Sequence, residues 1–152
     1  MKKIILCCLS LFFMVTCFSQ SFSQSNEIFN KIGHDDVDKW VYELFIKHNE
    51  KSVKKMCKIP SEDYIFYAAS ENSNVDMARM FAQKIAEQNA LEKLNQELDT
   101  KLTSATFFSM ELVKEDVVEN YDEDEEKQTF YVFQLYRIPK NIWDLGKKKI
   151  LQ

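Results

Sequence analysis

Hydrophobic and polar positions change rhythm from segment to segment along the chain, and each rhythm predicts an element. Val37, Trp40, Val41, Leu44, Phe45 and His48 fall at i, i+3, i+4, i+7, i+8 and i+11, the spacing of one helix face. Asp35, Asp36 and Asp38 stand at its start, where carboxylates favour unpaired backbone N–H groups, so a helix is expected over 35–49. Tyr64 to Ala69 (Tyr-Ile-Phe-Tyr-Ala-Ala) is short and aromatic and reads as a strand. Ser73-Asn74-Val75-Asp76 has the S-x-x-D form of a capping box. It opens a long helix expected over 74–101, with no Gly or Pro inside. Ala78, Phe81, Ala82 and Ile85 make one stripe on that helix, and Met77, Met80, Leu91, Leu94 and Leu98 another. Its first half is therefore expected to be covered on two sides. The small Ala78, Ala82 and Ala86 would let a sheet approach closely.

The second half of the chain reads as a hairpin. Ala105 to Tyr121 is strand-like, Asp122 to Glu126 is an acidic turn, and Thr129 to Ile138 is apolar on both faces. A strand of that last kind belongs in the middle of its sheet. Pro139 ends it, and Asn141 to Ile150 reads as a short closing helix with Ile142, Trp143 and Leu145 inward. The fold class expected is α+β: a small antiparallel sheet of about three strands packed against one long helix, with an extra N-terminal helix and a short C-terminal helix. The economical version keeps all helices on one face.

The first 19 residues stand apart. Met1-Lys2-Lys3 precedes an apolar run that ends in small residues, the pattern of a secretory leader. The run is shorter than the roughly 20 residues a membrane-spanning helix needs. Cleavage after Ser19 or after Ser23 fits equally, since Cys17-Phe18-Ser19 and Ser21-Phe22-Ser23 both end in small residues. Residues 20–33 read as a polar lead-in and 34–152 as a single α+β domain. The short basic start points to a bacterial exported protein, in the periplasm, the outer membrane or the medium. Cys17 offers a second processing route, cleavage before it and lipid attachment to it. Thr16, directly before it, departs from the Gly, Ala or Ser usual in a lipoprotein signature, so soluble export is the first expectation. Cys7, Cys8 and Cys17 all lie in the leader, and only Cys57 remains beyond it, so an internal disulfide framework is ruled out.

Composition narrows the chemistry further. Gly33 and Gly146 are the only glycines, too few for a dinucleotide-binding GxGxxG turn or a P-loop. Of the 20 Lys and Arg, Lys2 and Lys3 are in the leader, leaving 18 against 24 acidic residues. Such a chain is poorly suited to nucleic acid, and Lys147-Lys148-Lys149 reads as the solvated end of the last helix. No cofactor is implied. His34 beside Asp35, Asp36 and Asp38 has the donor types of a metal site, but an acid-rich helix start explains the same residues. His48 falls on the apolar helix face and reads as a boundary or core histidine. No serine stands in a nucleophile elbow, and Cys57 reads as a small apolar residue. Acidic pairs suited to hydrolysis are inevitable with 24 carboxylates. The 122–126 run lacks the spacing of a calcium loop. Tyr131, Phe133 and Tyr136 read as packing residues, not as a stacking platform for single strands.

Pro60 to Leu98, with its Tyr-rich strand, serine-containing turn and long helix bearing Ala78-Arg79, Ala82 and Ile85-Ala86, resembles the twenty-kilodalton bacterial outer-membrane lipoprotein family. The domain of that family also occurs in a flagellar outer-ring assembly protein. The hairpin closing in Tyr136-Arg137-Ile138-Pro139-Lys140 fits the same pattern, and the likeness covers about 80 of 152 residues. It departs at Ala68 and Ala69, where the family strand ends in glycines. The resemblance implies an envelope-associated, non-enzymatic domain of poorly defined molecular function. The reading of the chain itself is a structural, assembly or binding module that acts through its sheet surface or an exposed strand edge, with another envelope protein as partner and the membrane reached only through a lipid on Cys17. The alternatives are a small exported carboxylate hydrolase, or a lipid- or small-molecule-binding domain with an apolar cavity under the long helix.

Overall fold

Three strands, β1 (Tyr64–Asn72), β2 (Glu111–Asp122) and β3 (Lys127–Ile138), form one antiparallel sheet in the order β1-β3-β2. They are seen in the computed structural model, which describes residues 27–29, 31–32, 36–103 and 109–152. The helices are α1 (Lys39–Val41), continuing into a π-helical turn at Tyr42–Ile46, then α2 (Glu50–Met56), α3 (Val75–Leu98) and α4 (Lys140–Ile150). Residues 27–29 are also helical.

β3 is central, as its two-sided apolar pattern requires. Tyr131, Phe133 and Leu135 are buried towards one face, and Val132, Tyr136 and Ile138 towards the other. β1 pairs with it over nine unbroken positions, from Tyr64 opposite Ile138 to Asn72 opposite Phe130. β2 pairs on the other side with a bulge between Leu112 and Lys114.

On one face α3 packs through Ala78, Ala82, Ala86, Ala90 and Leu94 against Phe66, Val132, Tyr136 and Ile138. Trp143 of α4 closes this layer, fully buried and stacked on Tyr64 at 4.7 Å and Phe66 at 5.7 Å between ring centres. On the other face Ile28, Phe29, Trp40, Val41, Leu44, Phe45 and Val53 pack against Ile65, Ala69, Tyr131, Phe133 and Leu135. Helices thus cover both faces, not one. The reason is that β1 and β3 carry apolar side chains on both sides, and each side must be removed from water.

Five further expectations change in detail. The helix over 35–49 is instead the short α1 and a π turn, in which the Lys47 amide donates to the Tyr42 carbonyl at 3.2 Å. The chain then reverses, and the Asn49 side chain accepts from Ser52 N at 3.1 Å to start α2. The cap of α3 is Asn74, not Ser73: its side chain accepts from Asp76 N at 2.9 Å and Met77 N at 3.0 Å. The same helix stops at Leu98, three residues early, because Asp99 turns left-handed at φ 50°. Met77, Met80 and Phe81 are exposed, so the first half of α3 is covered on one side only, and Leu145 of α4 is exposed as well.

Candidate functional site

The residues marked for chemistry in the sequence are not brought together. Cys17 and His34 lie outside the described residues. His48 is exposed, beyond the π turn at φ 51°, and not on an apolar face. Among the described residues, no group of three or more His, Cys, Asp or Glu could hold a metal ion. Cys57 is half-buried, and burial pushes its thiol up, with Lys114 offsetting part of the rise. That favours the protonated, unreactive form. In the 122–126 turn the Asp122 carboxylate accepts from Asp124 N at 3.0 Å and Glu125 N at 3.2 Å, so it serves the loop itself. Tyr131, Phe133 and Tyr136 are buried and present no ring to solvent.

One polar network crosses the α3 face. Tyr136 Oη donates to Gln134 Oε1 at 2.8 Å, Gln134 Nε2 donates to Glu115 Oε2 at 2.8 Å, and Arg79 Nε donates to Glu115 Oε1 at 2.9 Å. Burial, aided by the Glu115 and Glu87 carboxylates, pushes the Tyr136 hydroxyl up to about 12. Both oxygens of Glu115 are occupied, so the network ties β2 to α3 and leaves no free base. Among the described residues three carboxyl groups have displaced titrations, and all move down. Hydrogen bonding to Lys47 lowers Glu43, and bonding to Lys140 lowers Asp144. For Glu97, burial pulls upward but is outweighed by hydrogen bonds from Trp143 and Lys147. A general acid needs the opposite displacement.

The sheet's two edges differ sharply. β2 carries Glu111, Lys114, Glu115, Asp116, Glu119 and Asp122 and is bulged at Val113. Charges and a bulge are devices that blunt an edge against further pairing. β1 is unbulged and carries one charge, Glu71, paired with Lys31 at 2.9 Å near its end; Tyr64 to Ser70 is uncharged, proline-free and in continuous register with β3. Among the described residues β1 has a strand neighbour on one side only, so alternate peptide groups point away from the sheet. Asn89 Nδ2 of α3 donates to the Tyr67 carbonyl at 3.3 Å, which places Tyr67 in the outward set. Ile65, Ala69 and Glu71 share its phase.

This edge forms the floor of an open groove of about 610 Å³. Ile85, Asn89, Glu92, Lys93 and Gln96 of α3 make one wall; Phe45, Glu50 and Lys54 make the other; Ser61, Glu62 and Asp63 close one end. The cations here are already engaged. Lys54 Nζ donates to the Ser61 carbonyl at 2.9 Å and the Asp63 carbonyl at 2.5 Å. Lys93 lies over the Tyr64 ring at 5.5 Å and 3.8 Å from Glu97. Asp63 takes the Lys140 amide at 3.0 Å and pairs with Arg137 Nε at 3.0 Å, a charge contact without the alignment of a hydrogen bond. Glu50, Glu62 and Glu92 have no Lys or Arg partner among the described residues. Burial pushes the Tyr67 hydroxyl up, and the Glu50 carboxylate adds to it.

Sequence reading found β1 as a strand but not as an edge, since strand order is set by pairings far apart in the chain. The absence of charge over seven residues was the available signal. No protein-family model, curated protein or solved structure matches this chain.

Proposed function

We propose that this is an exported, non-catalytic bacterial envelope protein that acts as a binding or assembly module through the open edge of β1. The uncharged Tyr64–Ser70 stretch of the β1 edge, lying in a groove on a sheet whose other edge is blunted, carries the reading. The leader at 1–19 supports export, and the resemblance over Pro60–Leu98 supports an envelope setting. No helix among the described residues is long and apolar enough to cross a membrane; the membrane tie this reading includes is a lipid on Cys17. The hydrolase alternative draws no support from carboxyl groups that titrate low and are hydrogen-bonded. The carrier alternative requires space beneath α3, where Ala78, Ala82, Ala86 and Ala90 are packed to 1% exposure or less.

The test uses the full precursor in a bacterial host. A photo-crosslinking residue replaces Gln96 at the groove, or Glu123 in the hairpin turn as control. The reading expects a processed chain, beginning at Gln20 or Gln24 or acylated at Cys17, and one discrete adduct from the groove position alone. An unprocessed cytoplasmic chain, or equal labelling from both positions, would overturn it.

A further inference from the structure

We infer that the groove takes an extended segment of a partner protein bearing Lys or Arg, added as a fourth strand on β1; this rests on the edge-binding reading above. The outward peptide groups of Ile65 and Ala69 and the outward amide of Tyr67 supply the backbone pairing for such a strand, while the Tyr67 carbonyl is already held by Asn89. Side chains of an added strand alternate between the two walls. On one side they meet Ile85 and Glu92; on the other they meet Tyr67 and Glu50. Each wall therefore offers an apolar surface next to a carboxylate, and Glu62 adds a third at the end. Lys54, Lys93 and Arg137 are held by contacts within the protein, so the charge left for a ligand is negative. A sequence that mixes aliphatic and basic residues complements both features, and an acidic one meets repulsion.

A second copy of this chain is the poorer occupant. Its β1 edge is recessed between the same walls, and pairing the two would set Glu50, Glu62 and Glu92 against themselves.

The test is selection of random peptides, nine residues long to match β1, on the processed protein. Enriched peptides should carry Lys or Arg interspersed with aliphatic residues. Binding should weaken about tenfold in the Glu50→Gln/Glu62→Gln/Glu92→Gln variant, the combined size of a few exposed pairs. Hydrogen exchange read by NMR on the unaltered protein should slow at the amides of Ile65, Tyr67 and Ala69 when a selected peptide binds. Protection of those amides by neutral or acidic peptides that bind as tightly would overturn the basic partner while leaving the edge reading standing. Unchanged exchange at those amides, or no enrichment at all, would sink both.

Discussion

Each face of the sheet is covered by helix, and the two covers are built from opposite materials. Over one face lies the 24-residue α3, regular throughout, touching the sheet through four alanines in i, i+4 succession, each at 1% exposure or less. The bulk there comes from the sheet and from α4, as Phe66, Tyr136 and Trp143. Over the other face lie short pieces joined by a π turn, and these bring their own large residues. Phe29 and Phe45 each sit 5.4 Å from Phe133, ring centre to ring centre. A straight helix can lie close along a sheet only if its side chains are small, whereas an irregular cover must fill its gaps with aromatics.

The contrast makes the faces fail in different ways. Phe133→Ala, deep in the aromatic layer, should cost about 3–5 kcal/mol, read as a lower urea midpoint at unchanged slope. Ala82→Leu should cost about 1–3 kcal/mol by pushing α3 off the sheet. If Ala82→Leu were neutral in the same assay, the close-approach account of α3 would be wrong.

Acid provides a way to loosen the contact between α3 and α4. Glu97 accepts from Trp143 Nε1 at 2.9 Å and Lys147 Nζ at 3.1 Å, joining α3 to α4. Its folded titration lies below its ordinary value of 4.5. Its contribution is therefore fully present above 4.5 and is lost as pH falls through the lowered folded value. Glu97→Gln should remove about 1 kcal/mol at neutral pH and flatten the acid limb of Trp143 emission, followed in a Trp40→Phe background. An unchanged acid limb would disconnect Glu97 from α4 docking.

The smallest effects should come at the turns, where the two sides ought to agree. Lys58, in the connections of the aromatic face, and Asp99, at the end of α3, both hold positive φ, 55° and 50°. Left-handed backbone costs a side-chain-bearing residue about 1 kcal/mol. Lys58→Gly and Asp99→Gly should each raise stability by about that much, and Asp99→Gly also removes an anion from a helix C-terminus. A loss of thermal midpoint in either variant would mean that the side chain contributes more than its backbone strain costs.

Much of this architecture could be read from the residues. The two-sided apolar run at 129–138 announced a central strand, and α3 lies within three residues of its expected ends, while β2 begins at Glu111, not at the expected Ala105. The same run also implied a cover on each face, which the one-face arrangement overlooked. The π turn was hidden because Trp40, Val41, Leu44 and Phe45 keep helical spacing and are all buried whether the turn is α or π. Ser73 and Asn74 are adjacent short acceptors, and only the backbone decides which one caps. The exposure of Met77, Met80 and Phe81 depends on what lies above α3, which local sequence does not encode. The candidate site was the least legible part, because an edge is defined by a neighbour that is missing.

The register of the sheet also sets an order of events. Partners in the β2–β3 hairpin are 5 to 26 residues apart in sequence, while β1 and β3 partners are 58 to 74 apart. Closing the longer loops is slower, so β1 docks after the hairpin has formed, an order that refolding kinetics of hairpin-turn and β1 variants would expose. During synthesis β1 emerges well before β3 and has nothing to pair with until nearly the whole domain has been made. A groove whose floor is β1 seated on β3 is thus among the last features of the fold to form.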